Sequence, residues 1–409
     1  MNNIIRKYLF STALLVPVFL TGSTVYASTS TMLTDLIDNA INSNYEVQST
    51  KKRVDARVTE EQGAAVWDIP SINMELSDKD FGVSLSQGVP LTKKYYYRKS
   101  IAGIDTAMAK NEFENVKREV ILKTKEFYWS YWLAYKKMGV LNEQRGLAQR
   151  YKDIAEVQYS SGKVQKFDVL KSVSALAQVQ SMFDLAQQEV ASSQLELNLH
   201  LARMAETPVG TPATEPGDTI TTDLSLILYT AFNTFPQYKV KTYDLLRASY
   251  TYDLARAEWI PDLMLGVKQS AMYGTAAMIQ TGIPFLWNKQ SASVKAAKEN
   301  IAVSAVELAG ERNAMEREIK MLWARYTALK FVTETYTNTV IPNDRQALSL
   351  TETGYISGKN MYYDLLDSQQ RFLDNVVEYY TYLHELQMVF AKIEYYTGTD
   401  IQTLQGDEE

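Results

Sequence analysis

The chain has 409 residues, of which 46% are hydrophobic, and it carries 42 Lys and Arg, 48 Asp and Glu, and no cysteine. The length and apolar content suffice for a large core, and the lack of cysteine excludes disulfides, thiolate metal sites and lipid attachment at a cysteine. The net charge of -6 argues against a nucleic-acid partner, because binding phosphates needs clustered Lys and Arg.

Residues 1–27 are predicted to form a cleaved secretory signal peptide. Arg6 and Lys7 precede a mostly apolar run, Leu9–Leu20, and Val25 and Ala27 provide a small-residue cleavage site. A transmembrane anchor is the alternative, but the run is short and contains a proline. Cleavage removes two positive charges and takes the net charge from -6 to -8. No later stretch is long and apolar enough for a membrane helix, so integral membrane contact is expected to use β-strands.

A sequence pattern recurs at a spacing of 196 residues. Tyr159–Leu170 is YSSGKVQKFDVL and Tyr355–Leu366 is YISGKNMYYDLL, with Tyr, Gly, Lys, Asp and Leu at matching positions. An internal repeat of this kind indicates a duplication. We predict tight turns, the tips of helical hairpins, near residues 162 and 358.

The duplication divides the chain into two repeats of helix, β-hairpin, long helix and helix. Repeat 1 is predicted over 28–210 and repeat 2 over 224–400, with a linker at 211–223 and an acidic tail at 401–409. Pro, Gly and Thr dominate the joining segment, which is typical of irregular surface structure.

Each repeat opens with a predicted helix, at about Met32–Val66 and Leu224–Glu258. Both helices end at tryptophan and proline, in Trp67-Asp-Ile-Pro70 and Trp259-Ile-Pro261. Proline cannot continue a helix and suits the start of an extended segment.

Hairpins are predicted at about 70–91 and 261–285, where the sequence alternates between apolar and small or polar residues. The apolar positions include Ile72, Met74, Leu76, Val83, Leu85, Leu265, Val267, Ala277 and Ile279. Both hairpins close with a similar motif, Gly88-Val-Pro-Leu91 and Gly282-Ile-Pro-Phe285. Alternation of this kind suits strands of a transmembrane barrel, although a soluble hairpin with one wet face is the alternative.

Aromatic residues gather near the ends of these strands and either form interfacial girdles or belong to an ordinary core. They are Trp67, Phe81, Tyr95, Tyr96, Tyr97, Trp259, Tyr273 and Trp287.

Long helices follow the hairpins. The segment from about Tyr97 to Gln158 has no proline and would span roughly 90 Å as one helix. Its counterpart, about Ser291 to Thr353, contains Pro342, which is expected to kink it. Apolar residues then recur every seven positions in the returning helices, which predicts supercoiled packing. They are Val169, Leu176, Phe183, Val190, Leu197 and Met204, and Leu365, Phe372, Tyr379, Leu386 and Ile393.

The sequence offers little support for an enzyme. His200 and His384 are the only histidines, both lie in predicted helices, and there is no glycine-rich phosphate loop. One acidic pair stands out, because Asp364 and Asp367 lie three apart and so share a helix face. Helix capping explains Asp364 and its counterpart Asp168, but it explains Asp367 less well.

With these features the chain resembles the TolC-type outer-membrane efflux channel family. The resemblance covers nearly the whole mature chain and depends most on Tyr159-x-x-Gly162, Tyr355-x-x-Gly358 and the Leu-Leu-Asp-x-Gln that follows the second turn. It implies a mainly α chain with a transmembrane β-barrel. Three protomers would each contribute four strands to one barrel and form a helical tunnel. The chain also has some likeness to the heavy-metal branch of the family.

The resemblance also implies roles for residues at the tips. Asp364 and Asp367 match aspartate rings at a periplasmic constriction. Tyr355 and Asp168 match a pair that holds the tip closed, and Asn360 stands where a family member has an arginine of that lock. The tips themselves would dock on the periplasmic adaptor, through Gly162, Lys163, Gly358 and Lys359.

The predicted function is therefore a passive outer-membrane exit channel of a tripartite efflux or type I secretion system. A homotrimer would work with a periplasmic adaptor, the membrane fusion protein, and an inner-membrane pump of the RND or ABC type, in contact with outer-membrane lipid. No cofactor, metal site, catalytic residue or nucleic acid is expected. Drugs, metal ions and a secreted polypeptide stay open as cargo. The alternative from another class is a soluble periplasmic coiled-coil scaffold or adaptor.

Overall fold

The computed structural model describes residues 31–64, 69–77, 80–217, 220, 222–282 and 288–398. The predicted signal peptide, Trp67, Trp287, the closing residues 283–285 and the acidic tail lie outside them. The described helices are α1 Leu33–Ser43, α2 Tyr45–Ala64, α3 Lys94–Ser160, α4 Lys166–His200, α5 Leu224–Thr234, α6 Pro236–Ala257, α7 Asn288–Thr335, α8 Ile341–Ile356 and α9 Tyr362–Thr397. The described strands are β1 Ser71–Ser77, β2 Asp80–Val89, β3 Leu263–Ser270 and β4 Gly274–Thr281. The chain is mainly helical with a small antiparallel sheet, as predicted.

The helices that open the two halves are each broken in two, so the prediction of one continuous helix was wrong. Between α1 and α2, the side chain of Asn44 accepts hydrogen bonds from the backbone N–H groups of Glu46 and Val47 and starts a new helix. Between α5 and α6, Pro236 supplies no N–H to continue the first helix and instead begins the second.

The two hairpins join into one four-stranded sheet with the order β1-β2-β3-β4, and every neighbouring pair is antiparallel. The hairpins meet where β2 pairs β3, with Leu85 opposite Val267. Gly266 lies at this junction, and a Cβ atom there would be 2.6 Å from the backbone oxygen of Leu85. Only glycine therefore allows the two strands to approach this closely. Both predicted hairpins are confirmed.

Helix α3 runs unbroken for 67 residues, about 100 Å, as the absence of proline predicts. The counterpart in the second half is interrupted by a π-helical turn, Tyr336–Val340, and α8 begins with Pro342 in its first turn. The expected disturbance at Pro342 is thus present, and it takes the form of a π turn before the proline.

The π turn coincides with one added residue in the second half. Buried residues of α3 and α7 correspond at a spacing of 195, as in Val120 with Met315 and Tyr131 with Tyr326. The tips correspond at 196. A single extra residue inside a helix is accommodated by a π turn.

The described residues 205–217 between α4 and α5 form neither helix nor strand, and they pack against α3. Tyr131 donates hydrogen bonds of 3.1 Å to the carbonyls of Val209 and Gly210, and Lys136 pairs with Glu215 at 2.7 Å. Each described helix is either too short or too polar to serve as a membrane span.

Candidate functional site at the helical tips

The two predicted tips are tight turns that connect α3 to α4 and α8 to α9. Gly162 and Gly358 adopt left-handed φ values of 74° and 75°, which glycine tolerates without a steric cost. In each turn the N–H of the following lysine, Lys163 or Lys359, donates back to a helix carbonyl at 2.9 and 2.8 Å. Both lysines are exposed, so each tip presents a positive charge to solvent.

One aspartate closes each turn by capping the helix that follows it. The backbone N–H of Gln165 donates to Asp168 at 3.3 Å, and that of Met361 donates to Asp364 at 3.1 Å. Both carboxylates sit in the first turn of their helix, where the helix dipole also favours negative charge. The structure therefore gives both aspartates a capping role.

Asp367 has no part in the cap. Its carboxylate lies one turn further along α9 and forms an ion pair of 3.0 Å with Arg371, in which both side chains are mostly exposed. Exposed pairs of this kind contribute little to stability. Asp364 and Asp367 thus project together from the first turns of α9 into solvent, as their spacing predicts.

Tyr355 lies inside an apolar cluster with Tyr151, Leu348, Tyr362 and Leu365, which joins α3, α8 and α9. The rings of Tyr355 and Tyr362 are 5.5 Å apart. The hydroxyl groups of Tyr355 and Tyr151 are buried and have no hydrogen-bond partner within the described part of the chain. A buried hydroxyl without a hydrogen-bond partner lowers the stability of the fold, because its desolvation is not compensated. Both hydroxyl groups therefore have the capacity to form a hydrogen bond with a group from another chain.

Asp168 lies close enough to this cluster to act on it electrostatically. Burial first, and then the negative charge of Asp168, raise the pKa of the Tyr355 hydroxyl. Burial also raises the pKa of Tyr362, with smaller contributions from Tyr355, Tyr151 and Asp168. The structure therefore brings Asp168 near Tyr355, although the carboxylate is engaged in its own helix cap.

Asn360 packs back against the end of α8. Its backbone N–H donates to the carbonyl of Gly354 at 3.1 Å. A Cβ atom on Gly354 would lie 2.4 Å from Nδ2 of Asn360. The amide thus occupies the space that a side chain at position 354 would need.

Three residues of the second tip, Tyr151, Gly354 and Tyr362, were not predicted from the sequence. Tyr151 and Tyr362 have no counterpart in the other tip, and Tyr151 reaches the cluster from 204 residues away in sequence. Of these three residues, only Gly354 carried a signal in the sequence, because it is a glycine at the end of a predicted helix, directly before the Tyr355 motif.

The sheet provides a second candidate surface. The side chains of β1 and β4 that point to the apolar face are strongly exposed, at 64% for Ile72, 75% for Met74, 84% for Leu76 and 74% for Ile279. The opposite face is small and polar, and includes buried Ser84 and Ser86 and the ion pair between Lys268 and Glu75. The predicted alternation is therefore confirmed, with the apolar side toward the surroundings.

Among the described residues, no group of three or more acidic or histidine side chains is placed to hold a metal ion. His200 is half-buried, and burial lowers its pKa; its ring lies 2.9 Å from the hydroxyl of Thr124. Burial likewise lowers the pKa of His384.

Comparison with known proteins shows which protein family and which solved structures this chain is similar to. Residues 236–399 match the family described as outer membrane efflux protein. No curated protein sequence matches the chain significantly.

Solved structures match almost the whole chain. CusC, whose structures concern folding and transmembrane channel formation, is 15% identical with a TM-score of 0.78, covering 90% of this chain and 92% of that one. The outer membrane protein VceC from Vibrio cholerae is 14% identical with a TM-score of 0.75, covering 90% and 96%. The CmeC outer membrane channel of Campylobacter jejuni is 15% identical with a TM-score of 0.75, covering 92% and 89%.

Proposed function

We propose that this chain is a passive exit channel of a tripartite efflux system. Two findings support the proposal: residues 236–399 match the outer membrane efflux protein family, and the fold is similar to that of outer-membrane channels. The channel carries small molecules or ions across the outer membrane from a periplasmic adaptor and an inner-membrane pump. The energy comes from the pump, and the channel performs no chemistry.

The exposed apolar face of the sheet is the single observation that carries this proposal. Ile72, Met74, Leu76 and Ile279 would face water in a soluble protein, whereas in a bilayer they face lipid. The sheet also has two open edges, β1 and β4, whose backbone groups need partners inside a membrane. If three copies pair β1 of one with β4 of the next in a ring, they close one barrel, and the backbone groups of both edges are hydrogen-bonded.

Closure by three copies brings the tips together around one axis. Asp364 and Asp367 would then form two rings of carboxylates at the periplasmic constriction. Rings of this kind attract cations and resist anions. Their exposure and their position just after the turn support the assignment.

Tyr355, Asp168 and Asn360 form the proposed lock that holds the tip closed. The orphaned hydroxyl of Tyr355 supports this, because a hydrogen bond formed in the assembled tip would remove its desolvation cost. The turns with Gly162, Lys163, Gly358 and Lys359 are the proposed adaptor contacts, since they are exposed turns between paired helices and carry exposed lysines.

Membrane fractionation tests the proposal against the alternative of a soluble periplasmic scaffold. The channel is expected in the outer-membrane fraction, to need detergent for extraction, and to run as a trimer on size measurement in that detergent. Recovery as a soluble monomer from the periplasmic fraction would favour the scaffold.

A further inference from the structure

The helix ends next to the sheet carry a concentration of positive charge. The stretch 91–100, which covers the end of the β2–α3 connection and the start of α3, contains four cationic residues and no acidic one. The first eleven residues of α7, 288–298, contain three lysines and no acidic one. We call these residues the basic collar: Lys93, Lys94, Arg98, Lys99, Lys289, Lys295 and Lys298.

Neighbouring acidic groups neutralise only part of the collar. Lys94 is buried and pairs with Asp262 at 2.9 Å, while its ammonium also donates to the carbonyl of Ile260 at 2.7 Å. Other acidic residues near the helix ends that carry the collar include Glu60, Glu258 and Glu299, and Glu60 pairs with Arg57.

Arg98 is half-buried, and the other five lysines of the collar, Lys93, Lys99, Lys289, Lys295 and Lys298, are exposed. Lys93, Lys99, Lys289 and Lys295 form no ion pair within the described residues, in a protein whose overall charge is negative. At the opposite end of the sheet the described cation, Lys268, is held by Glu75. Of the two ends of the sheet, the helical end therefore carries the lysines that have no ion pair within the described residues.

Tyrosines accompany the collar at the same level. The rings of Tyr96 and Tyr97 lie 5.7 Å apart and both lie 6.4 Å from Tyr250 on α6, and Tyr96 is 56% exposed. Arg98 lies over the ring of Tyr95. Tyrosine has an apolar body and a polar tip, and it concentrates where hydrocarbon meets headgroups.

The collar and the tyrosines directly adjoin the exposed apolar sheet face, since α3 begins five residues after β2 ends. We infer that the basic collar binds the phosphate groups of anionic phospholipids in the leaflet nearest the helices. This inference rests on the proposed function, which puts the sheet in a membrane. Long lysine side chains reach headgroups from helices below the hydrocarbon, and each contributes attraction that salt weakens.

The test measures thermal unfolding of the purified chain in detergent micelles that contain increasing phosphatidylglycerol. Parallel titrations use phosphatidylcholine and inorganic phosphate, at low and high salt. The collar variant carries Lys93→Gln, Lys99→Gln, Lys289→Gln and Lys295→Gln. A matched control changes four exposed lysines far from the sheet: Lys51→Gln, Lys110→Gln, Lys123→Gln and Lys392→Gln.

Phosphatidylglycerol is expected to raise the unfolding temperature of the wild type and the control, and high salt is expected to diminish the rise. The collar variant should need at least about tenfold more of this lipid for the same rise. An equal response to phosphatidylcholine, an equal response to inorganic phosphate, or an unchanged collar variant would each overturn the inference. The inference would also be overturned if the collar variant lost the trimer but kept its response to phosphatidylglycerol. The lysines would then form contacts between copies of the chain and not with lipid.

Failure of the proposed function gives a different result. A chain that stays soluble without detergent and enters no bilayer lacks a membrane surface altogether. A chain that inserts and conducts equally in both lipids retains the proposed function and lacks only the collar's lipid preference.

Discussion

The amide of Asn360 fills the space above Gly354, so that a Cβ atom built on Gly354 would lie 2.4 Å from its Nδ2. This contact fastens the second tip turn to the end of α8. It also explains the glycine, which has an ordinary helical φ and would otherwise be a poor choice within a helix.

A double-mutant cycle tests this contact. In Gly354→Ala the higher helix propensity of alanine is offset by displacement of Asn360, so little net change in the free energy of unfolding is expected. In an Asn360→Ala background the same substitution should stabilise the chain by about 0.5–1 kcal/mol, because the clash is gone. Denaturant unfolding of the four proteins measures this. Equal effects of Gly354→Ala in both backgrounds would show that the contact does not form.

The buried pair Gln144 and Gln369 gives a second prediction. These side chains join α3 to α9 by a hydrogen bond of 2.9 Å in the helical core. Gln369→Leu leaves the Gln144 amide buried without its partner and should cost about 1–3 kcal/mol of unfolding free energy. The double variant Gln144→Leu with Gln369→Leu should recover most of the loss. A double variant at least as unstable as the single one would contradict the pairing.

Tyr355→Phe tests the proposed lock. The Tyr355 hydroxyl is buried without a partner among the described residues, so its removal should not lower the unfolding temperature of the unassembled chain and should raise it slightly. If the hydroxyl bonds in the closed trimer, cells with this variant become more permeable to bulky antibiotics. Tyr151→Phe is the matched control, because it removes the other orphaned hydroxyl of the same cluster. A susceptibility panel identical for wild type and both variants would count against the lock.

Asp364→Asn with Asp367→Asn tests the carboxylate rings. An asparagine at position 364 keeps a side-chain oxygen that can accept the backbone N–H of Met361, so the variant removes charge while the cap keeps an acceptor. Single-channel conductance should rise, and block by multivalent cations should weaken. Asp38→Asn with Asp55→Asn removes the same charge from exposed positions on α1 and α2 and should change neither quantity. Wild-type conductance and block in the ring variant would exclude the rings.

Residues 236–399, which contain the second tip motif, match the outer membrane efflux protein family, in agreement with the resemblance drawn from that motif. The hairpins, the long helices and both tips were predictable, because alternation, heptads and glycine turns are local patterns. The predicted burial of the apolar residues that recur every seven positions is confirmed in part, since Leu197, Leu365, Leu386 and Ile393 are buried. Met204 lies beyond the end of α4 and is 84% exposed.

Features that depend on distant contacts were not predictable. The Tyr151–Tyr355–Tyr362 cluster needs three helices to converge, and the joining segment is held by hydroxyl groups of α3 that sequence alone does not pair with it. The break at Asn44 did carry a local signal, since asparagine caps helices, but the surrounding periodicity continued through it. The π turn was not predictable either, because the change of repeat spacing from 195 to 196 depends on which residues of α3 and α7 are buried.

Current through a planar lipid bilayer tests the channel most directly. After addition of the purified, detergent-solubilised chain, we predict discrete, equal current steps, each produced by one inserted trimer. A preparation that is folded and trimeric yet never produces such steps, in any lipid and at any applied voltage, would contradict the proposed exit channel.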